Sequence, residues 1–123
     1  MTTEPFRPSD LGATPGVIPY VEFHTGPRRL LTIDLSLNSK ALVKWYPIVS
    51  IDGRQYVVVP GPVSWEIPAD RNVHVSAHLD GEVLGRAPAS FILPPGEGRE
   101  FLTYSTRSGA GSLIHASPPP THA

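Results

Sequence analysis

The chain contains no cysteine, which removes disulfides, thiolate nucleophiles and Cys-ligated zinc or iron–sulfur sites together. A domain of 123 residues can bury a core without such staples, so the absence is neutral about redox compartment. Charge is also scarce. Only 17% of residues are Asp, Glu, Lys or Arg, against about 25% in an average globular protein. Ten Lys and Arg oppose eleven Asp and Glu, for a formal net charge of -1. These charges are scattered, so no basic field draws phosphate backbones, and no nucleic-acid partner is expected. No run approaches the ~20 apolar residues of a transmembrane segment. The opening MTTEPFRPSDLGATPG lacks the charged and apolar regions of a secretory signal. The expected location is therefore cytoplasmic. Helical patterning is missing too: no segment repeats apolar residues at spacings of three and four over ten residues.

What is present is punctuation and alternation. Residues 1–16 are rich in Pro, Gly and polar side chains and read as a flexible arm, with Phe6 and Leu11 as its only anchors. Val17 to His24 is strand-like, with Pro19 suggesting an edge or a bulge. In Arg28 to Leu37, Leu31, Ile33, Leu35 and Leu37 share one face and Thr32, Asp34 and Ser36 the other, the pattern of a strand covering a core. Leu42 to Ile51 resumes after a break, and Pro47 marks an interruption or an edge.

The stretch Ile51 to Leu79 organises the rest. Asp52-Gly53 between β-branched runs predicts a two-residue hairpin, since both central residues of its turn need φ > 0. Gln55 to Val59 returns, and Pro60-Gly61-Pro62 stops it. Val63, Trp65 and Ile67 then alternate on one side, which assigns Trp65 to the core. In the next strand Val73, Val75, Ala77 and Leu79 face in while His74, Ser76 and His78 face out. Asp80-Gly81 is a second turn signal. Beyond it only ASFIL, ending at Leu93, and Arg99 to Thr106 read as strands. Ser108 to Ser112 reads as a flexible link before a short pairing at Leu113 and Ile114, and the Pro-rich tail is expected to be disordered. The prediction is an all-β chain, an antiparallel β-sandwich or a partly open barrel of seven to eight short strands. Its domain covers 17–115, between the arm 1–16 and the tail 116–123.

Reactive constellations are thin. His74 and His78 share a strand face but lie roughly 13 Å apart at ~3.3 Å per residue, too far to chelate one ion. His24, His115 and His122 would have to converge with a carboxylate, so no metal site is expected. No Gly-x-Ser-x-Gly occurs, and the carboxylate pairs Glu66 with Asp70 and Glu97 with Glu100 fall at turns or strand ends expected to be solvated. No catalytic residue and no cofactor are assigned, and the chain reads as a non-enzyme. The aromatics hold the one functional hint. Trp45, Tyr46 and Tyr56 fall on neighbouring strands and could anchor a partner protein or stack on a sugar. Trp45 is in phase with Val43 and Pro47, Tyr46 with Leu42, Lys44 and Ile48; one must point outward, and Trp45 is the candidate.

The segments IDGRQYVV, VSWEIPADRNVHVSAH, ASFILPPGEGREFLTY and GSLI resemble a small β-domain of actinobacterial, including mycobacterial, proteins. They are similar as well to PEGA and immunoglobulin-like modules. In those modules a V-D-G hairpin precedes a Pro-Gly turn and an alternating strand; here Pro68-Ala69-Asp70 stands where Pro-Ala-Gly or Pro-Pro-Gly is usual, while Pro94-Pro95-Gly96 keeps the pattern. The resemblance implies a non-catalytic module, often part of envelope-associated proteins, which leaves peripheral envelope association open beside the cytoplasm. The expected function is a protein-interaction or assembly module that binds another protein or itself, by a sheet edge or by the face around Trp45 and Tyr46. The alternative is a carbohydrate- or small-ligand-binding module using its aromatic face.

Overall fold

The computed structural model describes residues 17–35, 45–81, 85–107 and 110–116. The arm 1–16, Leu37, the first part of Leu42 to Ile51 and the tail from 117 lie outside the described residues. The described residues form nine strands and no helix, so none of them forms a helix long and apolar enough to cross a membrane. The strands are β1 (Val17–Ile18), β2 (Arg28–Asp34), β3 (Tyr46–Ile51), β4 (Arg54–Val57), β5 (Pro62–Pro68), β6 (Val73–Asp80), β7 (Arg86–Leu93), β8 (Glu100–Arg107) and β9 (Ala110–His115). One sheet has the order β1-β5-β2-β8-β9 and the other β4-β3-β6-β7. Neither closes into a barrel.

The inner faces of the two sheets share one core. Leu31, Ile33 and Leu35 of β2 and its end, Trp65 and Ile67 of β5, and Leu102 and Tyr104 of β8 meet Val49 and Ile51 of β3 and Val73, Val75, Ala77 and Leu79 of β6. Trp65 is 1% exposed, as its phase with Ile67 requires. Burying side chains of this size stabilises the sheets by about 1.5–3 kcal/mol each, and strict period-two alternation in β6 is what allows one strand to supply four of them.

Three expectations need correction. The described residues hold nine strands where seven to eight were expected: the short pairing expected at Leu113 and Ile114 is a full strand, with residues 110–112 of the expected link as the first half of β9. Its pairing extends to Ala116, whose N–H donates to the Phe101 carbonyl at 2.9 Å. The first sheet is also mixed: β1 runs parallel to β5 and β2 parallel to β8. Alternation reports which face is buried but carries no information on direction between strands distant in sequence. Finally, Val17 to His24 yields only a two-residue strand; Pro19 cannot donate to a ladder, and the chain leaves the sheet there so that Tyr20 turns into the core.

Pro47 lies in a central strand, paired with Leu79 of β6. The Val58 N–H still donates to its carbonyl at 3.2 Å, but proline cannot return the bond. This explains why the β3–β4 ladder ends at Val57.

Candidate functional site: the β4 edge and the polar end beside it

The hairpin that carries β4 turns at Asp52 and Gly53, with φ of 50° and 90°, the left-handed pair the sequence calls for. Asp52 is tied down from several sides. Its N–H donates to the His74 carbonyl at 2.8 Å, and its Oδ1 accepts the His74 N–H at 2.9 Å. Its Oδ2 accepts the Tyr20 hydroxyl at 2.9 Å and lies 3.2 Å from Arg71 Nη1. Arg71 Nη2 in turn donates to the Tyr20 hydroxyl oxygen. Burial first, then the bond to Asp52 and its charge, raise the Tyr20 pKa against the opposing pull of Arg71. Glu22 and Arg54 pair at 2.9 Å across the mouth of this region. Tyr20, Glu22, Asp52, Arg54, Gln55 and Arg71 line an open cleft of ≈ 810 Å³.

Behind the cleft lies a charge pair that spacing alone does not reveal. Glu66, expected at a solvated strand end, is 0% exposed. Its Oε1 accepts the Tyr20 N–H at 3.1 Å and Arg28 Nη1 at 3.0 Å, while its Oε2 has no partner among the described residues. Arg28 also donates to the His24 carbonyl, and His24 Nε2 lies 3.2 Å from Asp70 Oδ1. Glu66 and Asp70 are therefore held by different groups, Glu66 by Arg28 and Asp70 by the His24 imidazole. Every bond here is local to a fixed network, so these groups brace the end of the sheets.

The aromatic candidates do not assemble into one platform. Trp45 is half-buried against the core, with the Arg86 guanidinium 5.1 Å from its ring centroid. Tyr46 is the outward ring, 43% exposed, the reverse of the expectation. Every residue from Pro47 to Ile51 is buried, but Val49 and Ile51, in phase with Trp45, belong to the core shared by the two sheets, whereas Ile48, in phase with Tyr46, is buried outside it. Tyr56 points inward and meets Trp65 edge-on at 6.0 Å; burial raises its pKa. The histidines stay apart as well. His74 is exposed, His78 pairs with Asp80 at 3.1 Å and His115 with Glu100 at 3.3 Å, while His122 lies outside the described residues. No group of three or more His, Asp or Glu among the described residues could hold a metal ion.

The sheet edges are more informative than the rings. At one side of the molecule the edge strands β7 and β9 cover each other. Gly111 lies so close to β7 that a Cβ there would stand 2.0 Å from the Ala87 carbonyl oxygen, and Phe91 meets His115 edge-on at 4.9 Å. At the other side β1 is only two residues long and is followed by Pro19. That leaves β4. In a two-residue hairpin the residues flanking the turn form a hydrogen-bonded pair, and such pairs recur at every second position. Arg54 and Tyr56 thus spend their backbone groups on β3, and Val58 spends its N–H on the Pro47 carbonyl. Gln55, Val57 and Val59 consequently aim their N–H and C=O groups away from the sheet. Val57 is 70% and Val59 72% exposed, and Gln55 to Val59 contains neither a charge nor a proline, the usual guards of an edge. The sequence does mark this run as apolar, but which strand lies outermost depends on distant pairings and is not legible in it. In comparisons with protein-family models, curated proteins and solved structures, nothing matches this chain.

Proposed function

We infer that this chain is a non-enzymatic interaction or assembly module, a β-sandwich of the immunoglobulin-like and PEGA-like kind that receives an extended strand along β4. The observation that carries the reading is the unguarded row Gln55, Val57 and Val59, whose backbone groups face outward beside two exposed valines. Strand addition uses such a row: main-chain bonds supply affinity, and alternate side chains supply selectivity. The carbohydrate reading draws no comparable support, because Trp45, Tyr46 and Tyr56 face different surroundings.

The test is an amide-resolved NMR titration with a short, uncharged valine-rich peptide. The Gln55, Val57 and Val59 amides shift together and gain protection from exchange, while Tyr56 and Val58 change less, and Val57→Lys weakens the effect. Uniform indifference of the outward amides would remove the reading.

A further inference from the structure

Resting on that strand-addition reading, we propose that the strand β4 receives is β4 of a second copy of this chain, antiparallel, with Val57 on the two-fold axis. The argument is the symmetry of the row. With the axis at Val57, this residue meets Val57 of the second copy as a hydrogen-bonded pair. Gln55 meets Val59 of the second copy, and Val59 meets its Gln55. Every outward N–H then faces a carbonyl. An axis at Tyr56 or Val58 would oppose groups already bonded to β3, and an axis between residues would match outward groups with inward ones. Moving the axis to Gln55 or Val59 would run the row into Gly53 or Gly61, both at positive φ. Only Val57 uses the whole edge.

Charge and apolar surface agree with this occupant. The first ionisable group along the row is Arg54, already paired with Glu22 at 2.9 Å, and in this register it lies across from Pro60 of the second copy. No like charges are brought face to face, which an edge guarded by Lys or Glu would do. The exposed side chain of Val57 then faces its own counterpart, and exposed Val59 lies opposite Gln55 and diagonal to Val57 of the second copy. Tyr46, exposed on the same outer face, lies one step beyond the Pro47–Val58 bond and extends the patch. The two four-stranded sheets thereby join into one continuous sheet. A row this short covers less than the ~1,200 Å² at the lower limit of standard interfaces, so the dimer is reversible, with micromolar rather than nanomolar dissociation.

Sedimentation velocity of the full chain over a micromolar-to-millimolar series tests the proposal. The wild type shows a reversible monomer–dimer equilibrium. Val57→Lys and Val57→Glu each weaken it by about tenfold or more, since like charges meet on the axis, and an equimolar mixture of the two variants regains dimer. Unfolding midpoints of both variants stay near that of the wild type because residue 57 is exposed, which excludes misfolding as the cause. A monomer throughout the series, a dimer indifferent to Val57→Lys, or a mixture that does not regain dimer overturns the proposal. If the wild type stays monomeric yet its Gln55, Val57 and Val59 amides respond to the valine peptide, the second copy is excluded and strand addition survives. If neither occurs, both fall.

Discussion

Tyr104 offers the sharpest quantitative check on how the two sheets are joined. Its ring is 1% exposed, and its hydroxyl donates to the Ala87 carbonyl at 2.6 Å across the β8–β7 gap. Ala87 is itself 4% exposed and held at φ 52°, so the carbonyl has been turned inward to take that proton. Tyr104→Phe keeps the ring but leaves a buried acceptor unsatisfied, a loss of about 1–3 kcal/mol at neutral pH. The pH dependence provides the second arm. Burial pushes the Tyr104 pKa from 10.0 up to about 12, so the folded state favours the neutral phenol. That stability is fully present below the unfolded value and is lost as pH rises from 10 through about 12; a shift of this size corresponds to about 2–3 kcal/mol. Tyr20 and Tyr56, also raised, add losses common to both proteins, and subtraction removes them. Urea unfolding of wild type and variant should show a wild-type advantage near neutrality that shrinks through this alkaline window. An advantage that is absent at neutral pH, or that stays constant up to pH 12, would refute the role given to this bond.

Two further substitutions probe the same architecture. Gly111→Ala places a methyl 2.0 Å from the Ala87 carbonyl oxygen, a backbone atom that cannot swing aside; thermal unfolding should register a loss of about 1–3 kcal/mol or more, as for overpacked cores, and an unchanged midpoint would mean β9 does not lie against β7. Glu66→Gln leaves Arg28, whose side chain is 6% exposed, without a countercharge, so denaturant unfolding should show a destabilisation of about 3–5 kcal/mol, and a change no larger than a typical surface substitution would contradict the buried pair.

Local chemistry was readable and long-range pairing was not. The Asp52-Gly53 turn, the inward row of β6 and the burial of Trp65 follow from residue type and period alone. Glu66 illustrates the opposite case. Its partners Arg28 and Tyr20 lie 38 and 46 positions away, and nothing near Glu66 in the chain announces them. The glycines at 109 and 111 looked like a linker because glycine frees the backbone, whereas Gly111 serves close approach between two strands. Trp45 and Tyr46 differ by one position, and because every residue from Pro47 to Ile51 is buried, periodicity leaves their phases level; what separates them is that Val49 and Ile51, in phase with Trp45, join the core between the sheets. The edge itself combined both kinds of information: the apolar row was visible, but its outermost place follows from β3 pairing with β6 on its other side.

The polar end of the molecule bears on the edge through preorganisation. An added strand repays its own ordering entropy only if the receiving strand is already fixed, because each side that must be ordered subtracts from affinity. β4 spans four residues, short enough to fray if held by its ladder alone. Its turn, however, is bound at Asp52 to His74 and Tyr20 and lies against Arg71. Tyr20 is fixed in turn by the buried Glu66, which is paired with Arg28, the first residue of β2. At the other end, the Val58 to Pro47 bond holds the strand after the ladder stops. Inward, Tyr56 packs on Trp65. The ionic network thus acts at a distance from the row: it fixes the turn from which β4 starts, and under the strand-addition proposal an incoming strand would meet Gln55, Val57 and Val59 already ordered.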